Sequence, residues 1–272
     1  MSDHRAGAFK GTFAELYDRY LVPMLFEPYA RIVAHRASGL DPRDVLEIAA
    51  GTGIVTQALA RALPQAVAIT ATDVSQPMID IGRTKSGMTN VVWRQADAMK
   101  LPFADGGFDL IVCQFGVMFF PDKAASFKEV SRVSRPGGTY LFVLWDDWKE
   151  MPAAPLALAA EVVGKLLGRD PSTMVNPPYH DENTIRADLT SAGLQHITIE
   201  RITQPAEAAS AREAAIVTVH GSLIRTVIES IAPERSDAAT DAVERAMRAR
   251  FGGGHVAGST VALMVMAEKP LA

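Results

Sequence analysis

The spacing of apolar residues changes character along this chain. Over residues 9–37 it is helical: Phe13, Leu16, Tyr17 and Tyr20 form one stripe, and Phe26, Tyr29, Ile32 and Val33 a second. Pro23 lies between them and predicts a break or a redirection, because its ring cannot donate to the helical ladder. Ser38-Gly39-Leu40-Asp41-Pro42 ends the pattern. Short apolar runs then alternate with helical segments. The runs are 45–49, 66–72, 91–94, 108–115 and 139–144, and helices are predicted over 55–63, 76–84 and 123–133. Beyond Trp145 the alternation loosens. Helices are predicted over 152–168, 181–192, 211–231 and 236–251, and strands over 196–202 and 261–267, with Gly252-Gly253-Gly254 as a joint. Strands and helices alternating in this way form a doubly wound parallel sheet, and runs as apolar as LIVCQF and YLFVL suit one covered on both faces.

Composition narrows the class. The 272 residues allow one large domain, or one domain with an added lid. With 27 Lys+Arg against 31 Asp+Glu the net charge is −4, which argues against a nucleic-acid partner because phosphate contacts need clustered cations. Cys113 is the one cysteine, so neither an internal disulfide nor a thiolate-rich metal site is available, and His4, His35, His196 and His255 show no ligand spacing with one another or with Cys113; no metal is expected. The first twenty residues carry no apolar core, and 153–167 is too short and too charged to span a bilayer. A cytoplasmic protein without a membrane span is expected.

The most informative segment is Val45-Leu46-Glu47-Ile48-Ala49-Ala50-Gly51-Thr52-Gly53, which leaves a strand and enters a helix. Glycines there let a ligand approach the backbone, and the helix start offers free N–H groups. Asp73 closes the next strand 20 residues after Gly53, where a carboxylate can accept both hydroxyls of a ribose. The pairing points to an adenosine-containing ligand. A dinucleotide fingerprint would need a small residue where Thr56 stands, and a phosphate-binding P-loop would need Gly-Lys-Ser/Thr. S-adenosylmethionine, which requires no pyrophosphate site, is left.

Four segments in order, LEIAAGTG, ATDVSQPMI, QADAMKLPF and FDLIVCQFGVMFFPD followed by RPGG, carry a family resemblance. The chain resembles class I S-adenosylmethionine-dependent methyltransferases, close to the ubiquinone/menaquinone C-methyltransferase-like group that acts on small molecules. The resemblance implies an α/β fold, a doubly wound seven-stranded mostly parallel sheet (the Rossmann-like methyltransferase fold) with helical lid additions. One domain over 1–272 is then expected, with an N-terminal lid at 1–40, a cofactor-binding core at 41–147, and substrate-enclosing additions at 148–195 and 203–258. It also implies roles. Glu47 stabilises the loop near the cofactor's ammonium, Ala49, Gly51 and Gly53 line its methionine portion, and Asp73 holds the ribose. Val74 packs on the adenine and Met78 covers it, while Asp97 and the Ala98 N–H meet its edge. Gln114 and Phe115 border the transfer site, and Tyr20 closes over the cofactor from the N-terminal helices. Ala49 departs from the family, since many relatives carry the loop's first glycine there.

Methyl transfer from a sulfonium is an in-line displacement, so alignment in a dry site is the main demand, worth roughly 7–11 kcal/mol in favourable systems. A base is needed only when the acceptor must lose a proton; His180 and His220 are the candidates. Tyr17, Phe26, Trp145, Trp148 and Tyr179 are candidate acceptor contacts. The expected activity releases S-adenosylhomocysteine from a small, apolar or aromatic acceptor. The alternative is a cofactor-binding regulatory or assembly protein without catalysis. The helical additions also leave room for a homodimer.

Overall fold

The computed structural model describes residues 12–85, 87–147, 151, 154–174 and 179–271. All seven apolar runs are strands of one sheet: β1 (Asp44–Ile48), β2 (Ala68–Asp73), β3 (Val91–Gln95), β4 (Phe108–Gln114), β5 (Ser134–Trp145), β6 (Gln195–Ala208) and β7 (Val256–Glu268). Their order is β3-β2-β1-β4-β5-β7-β6. β1 through β5 pair in parallel and β7 runs antiparallel to β5. The helices are α1 (Phe13–Leu16), α2 (Glu27–Ser38), α3 (Ile54–Ala62), α4 (Gln76–Thr84), α5 (Lys123–Val133), α6 (Pro155–Leu167), α7 (Glu182–Ser191), α8 (Ala211–His220), α9 (Leu223–Ile231) and α10 (Ser236–Phe251). No single helix among the described residues is long and apolar enough to cross a membrane.

The chain divides into two compact units. One comprises Met1–Pro28, Trp148–Pro177 and Thr203–Thr260; the other comprises Tyr29–Asp147, Pro178–Ile202 and Val261–Ala272. In the first, α10 packs on α8 and α6, and Arg212 of α8 bridges Asp241 and Glu244 of α10 at 2.7 and 3.0 Å. The second carries the parallel strands. Leu46, Ile69, Leu110, Ile111, Leu141 and Phe142 are fully buried there, as a sheet covered on both faces requires. The chain travels outward from β1 to β3 and returns on the other side through β4 and β5. The C-terminal ends of β1 and β4 therefore flank the point where strand order reverses, the usual place for a ligand crevice.

Five expectations need correction. Pro23 does not redirect the chain: it sits within a π-helical segment, Tyr17–Phe26, continuous with α1 and α2. The wider π register closes each turn one residue later, which accommodates the missing donor. The helix expected over 211–231 is two, bent by 68° at Gly221-Ser222. The fifth strand starts at Ser134 rather than 139, taking Pro136-Gly137-Gly138 into its edge through Gly137 N–H to Lys269 O and Lys269 N–H to Gly138 O, both 2.9 Å. The last strand begins at Val256 rather than 261, and the sixth runs on to Ala208.

Candidate functional site

β1 ends at Ile48, and the chain then passes through three left-handed residues: Ala49 (φ 55°), Gly51 (57°) and Gly53 (84°). At Gly53 a Cβ would stand 2.6 Å from the Trp93 ring, so glycine is required there on two counts. Asp73, closing β2, grips this loop. One carboxylate oxygen accepts the Gly51 N–H at 2.8 Å, and the other accepts the Ser75 N–H at 2.8 Å. Burial raises the Asp73 pKa, and these backbone donors act against that rise. Ser75, the residue before α4, makes no side-chain capping bond.

Glu47 lies wholly inside, and the Thr56 hydroxyl meets its carboxyl at 2.5 Å. Burial pushes its pKa up to about 8; the Thr56 hydrogen bond opposes this and the nearby Asp73 charge adds to it. Thr56, read in the sequence only as an obstacle to dinucleotide binding, is thus the residue that satisfies Glu47. The one available signal was a hydroxyl in the first turn of the helix that follows a buried acid, nine residues after it. In the loop itself, the buried Thr52 Oγ1 has no hydrogen-bond partner among the described residues.

The third segment arrives beside Asp73. The Ala96 N–H donates to the Asp73 carbonyl at 3.0 Å, and Gln95 Nε2 to the Val74 carbonyl at 2.8 Å. Residues 97–100 then form a closed turn: Asp97 Oδ1 accepts the Met99 N–H at 2.9 Å, and the Asp97 carbonyl accepts the Lys100 N–H at 3.0 Å. Asp97 is exposed and Ala98 buried. Val74 stands 69% exposed, unusual for a valine directly after a buried strand, and Met78 is half-buried on α4.

β4 contributes the fourth segment. Phe115, just past Gln114, takes a left-handed φ of 56° while its N–H bonds to the Val143 carbonyl at 2.7 Å. Its ring stacks on Trp145 at 3.8 Å between centroids, and the buried Tyr29 meets both edge-on at 5.2 and 5.5 Å. Gly116 follows, where a Cβ would lie 2.6 Å from the Ala49 Cβ and 2.7 Å from Cys113 Sγ. The ends of β1 and β4 are therefore in close packing through Ala49. Cys113 is fully buried, its thiol pushed up to about 12 by burial, as suits a core residue.

The second unit thus brings together Glu47, Ala49, Gly51, Gly53, Asp73, Val74, Met78, Asp97, Ala98, Gln114 and Phe115 on the ends of β1, β2 and β4 and the segments that follow them and β3. Tyr20 belongs to the first unit, with the Arg19 guanidinium 5.2 Å over its ring. So do Tyr17 and Phe26, whose rings lie 5.3 Å apart. Trp148 lies outside the described residues. In the second unit the Tyr179 hydroxyl donates to Asp188 at 2.7 Å and Lys123 Nζ lies 4.9 Å over its ring, while His180 stands 3.7 Å from the Asp147 carboxylate. His220 is a core residue of the first unit. The Thr240 hydroxyl donates to the Ser236 carbonyl at 3.0 Å, so it accepts from His220 Nε2–H at 2.8 Å, and burial pushes the imidazole pKa down to about 4. That is a weak base for removing a proton at neutral pH. Among the described residues no cluster of three or more His, Cys, Asp or Glu could hold a metal.

Residues 45–138 match the family described as Methyltransferase domain. A demethylmenaquinone methyltransferase from Staphylococcus aureus is 33% identical over 130 residues, 46% of this chain and 54% of that protein. The chain thus spans about half the length of the curated relatives it matches. The solved structure of YcgJ from Bacillus subtilis matches with a TM-score of 0.58 at 19% identity, covering 90% of this chain and 99% of that one. An S-adenosylmethionine-dependent methyltransferase from Aquifex aeolicus matches at 0.52 and 20%, covering 68% and 90%. The fold is that of the Rossmann-like methyltransferases.

Proposed function

We propose, from the match of residues 45–138 to the family described as Methyltransferase domain, that this protein transfers a methyl group from S-adenosylmethionine to a small, apolar or aromatic acceptor, with release of S-adenosylhomocysteine. One observation carries the reading: the Asp73 carboxylate is tied to the Gly51 N–H of the β1 loop while its own carbonyl holds the segment bearing Asp97. A ribose acceptor, a glycine cradle and a second acid are thereby fixed against one another. The donor set suits this cofactor. Each Asp73 oxygen, already holding one backbone N–H, keeps lone-pair capacity for a ribose hydroxyl. Val74 offers an exposed apolar face, and the Thr52 hydroxyl, without a partner among the described residues, a buried polar group in the same region.

When bound, S-adenosylmethionine supplies an electrophilic methyl on sulfur. The protein's part is then placement. Gly51 and Gly53 would let the methionine portion approach the backbone, Glu47 would serve its ammonium, and Asp97 and the Ala98 N–H would hold the adenine edge. Gln114 and Phe115 would border the transfer site. Alignment of acceptor and methyl supplies the acceleration, and His180, half-buried near Asp147, is the better placed of the two candidate bases. Tyr20 is assigned to the cofactor, and Tyr17, Phe26, Trp145, Trp148 and Tyr179 to the acceptor. The core at 41–147 holds the cofactor, and the lid at 1–40 and additions at 148–195 and 203–258 choose the acceptor.

Titration calorimetry should give saturable S-adenosylmethionine binding, and Asp73→Ala should weaken it at least about tenfold, the loss expected for a charge-assisted hydrogen-bonding group. A radiolabelled transfer screen over quinols, phenols and amines should give a methylated product. No binding sinks the reading; binding without transfer on any acceptor favours a regulatory cofactor-binding protein.

A further inference from the structure

We propose that Glu129 and Arg132 are positioning residues that set selectivity for adenine by fixing the turn 97–100. The proposal rests on the reading that Asp97 and Ala98 meet the adenine edge, and it adds two residues that touch no ligand.

The two side chains lie one turn apart on α5 and share a face. Glu129 Oε2 accepts the Leu101 N–H at 2.7 Å, and Arg132 Nη2 donates to the Leu101 carbonyl at 2.9 Å. One backbone residue is thus held at both its donor and its acceptor. Arg132 Nη1 also reaches the Phe103 carbonyl at 2.8 Å and the Asp105 carboxylate at 2.7 Å. Its Nε and Nη2 meet the two Glu129 oxygens at 2.7 and 2.8 Å, so the two side chains brace each other. The end of α5 completes the grip, its Arg132 and Val133 carbonyls accepting from Gly106 and Gly107 at 3.0 and 2.8 Å. Arg94 reinforces it from the strand side, donating to the Pro102 carbonyl at 3.1 Å with its guanidinium 5.3 Å over the Phe103 ring.

The turn 97–100 lies between this anchor and the Ala96 bond to Asp73. Ala98 is buried, but Asp97 is exposed and, among the described residues, the hydrogen bonds of Asp97 stay within the turn. Two anchors at its ends are what give it one conformation. That matters for recognition because adenine presents an amine donor beside a ring acceptor, while hypoxanthine presents the reverse. An acid at 97 and an N–H at 98 tell the two apart only while their spacing is fixed, and a mispaired buried edge costs more than a missing contact. Preorganisation of this kind acts on discrimination, whereas a general loss of stability lowers affinity for both bases alike.

The test is the ratio of dissociation constants for S-adenosylhomocysteine and S-inosylhomocysteine, measured by calorimetry on the full chain. The wild type should prefer the adenine form by about tenfold or more. In Arg132→Gln and Glu129→Gln the ratio should fall to about threefold or less, with an unchanged far-ultraviolet spectrum. Arg132→Lys, which keeps the charge but not the forked donors, should fall between. An unchanged ratio in the glutamine variants overturns the proposal, even where overall affinity drops. Should Arg132→Gln fail to fold, the near-isosteric Glu129→Gln decides. A wild type that binds neither compound fails the cofactor reading itself. A wild type that binds both alike leaves that reading standing and removes the role of Asp97 and this proposal together.

Discussion

Glu47 is a buried acid whose pKa stands near 8, so at pH 7 the folded protein holds a proton there that the unfolded chain, with an ordinary value of 4.5, has released. The sign follows. The stabilising contribution is complete below about pH 4.5, declines as pH rises between the two values, and is lost above about 8. Asp73, also raised by burial, adds to the slope in the same direction. Glu47→Gln, neutral at every pH and able to accept from Thr56, should flatten the fall of Tm between pH 5 and 8; an equally steep fall in the variant would assign the slope elsewhere. A second residue-scale test concerns packing. Gly116→Ala drives a methyl into Ala49 and Cys113 and should cost about 1–3 kcal/mol by thermal unfolding. Adding Ala49→Gly, which removes one of the two obstructing atoms and relieves a left-handed alanine, should recover part of that loss. A double variant no more stable than Gly116→Ala would break the link. The glycine loop and Asp73 were readable in the sequence because residue type and spacing carry their meaning. The left-handed Ala49 and Phe115 were not, since neither residue type advertises that conformation and tertiary packing imposes it.

At the scale of elements, α4, α5 and α10 match their sequence-predicted bounds because local signals mark them. Pro77 stands in the first turn of α4, Asp122 caps α5 through the Ala125 N–H at 2.8 Å, and Gly252 follows α10. The early start of β5 had no local signal. Proline and two glycines read as a turn, and only pairing with β7, more than 120 residues away in sequence, makes them strand. The break between α8 and α9 was legible in principle. Gly221-Ser222 interrupts an apolar run, and Ser222 caps α9 through the Ile224 N–H at 3.2 Å while bonding the Thr218 carbonyl. Apolar periodicity across the break outweighed it. Ser222→Ala removes this cap and should lower stability by about 1 kcal/mol, or a few degrees in Tm. Its cofactor affinity should match the wild type, as expected for a residue of the first unit that serves the helix break. A change in affinity without a change in Tm would give Ser222 another role.

For the whole molecule, the sequence-predicted division into a cofactor core and helical additions differs from the two compact units, which recombine three separated stretches each. Strand order follows from local rules, but membership of a unit depends on which distant segments pack together, and no spacing records that. The division has a measurable consequence. Apart from Tyr20, every residue assigned to the cofactor belongs to the second unit, so a ligand that binds only the folded form should stabilise that unit first. At one hundred times its Kd, S-adenosylhomocysteine should add about 2.7 kcal/mol. For a protein of this size that raises Tm by about 5–10 °C. Hydrogen exchange should locate the effect, with new protection at 45–53, 73–78, 95–101 and 113–116 and none through α6 or α10. Protection at 17–26 as well would support Tyr20 as a cofactor contact, and its absence would remove that residue from the site. Protection spread evenly over both units would instead mean that they unfold as one cooperative body, and stability could then no longer be assigned to the cofactor segments alone.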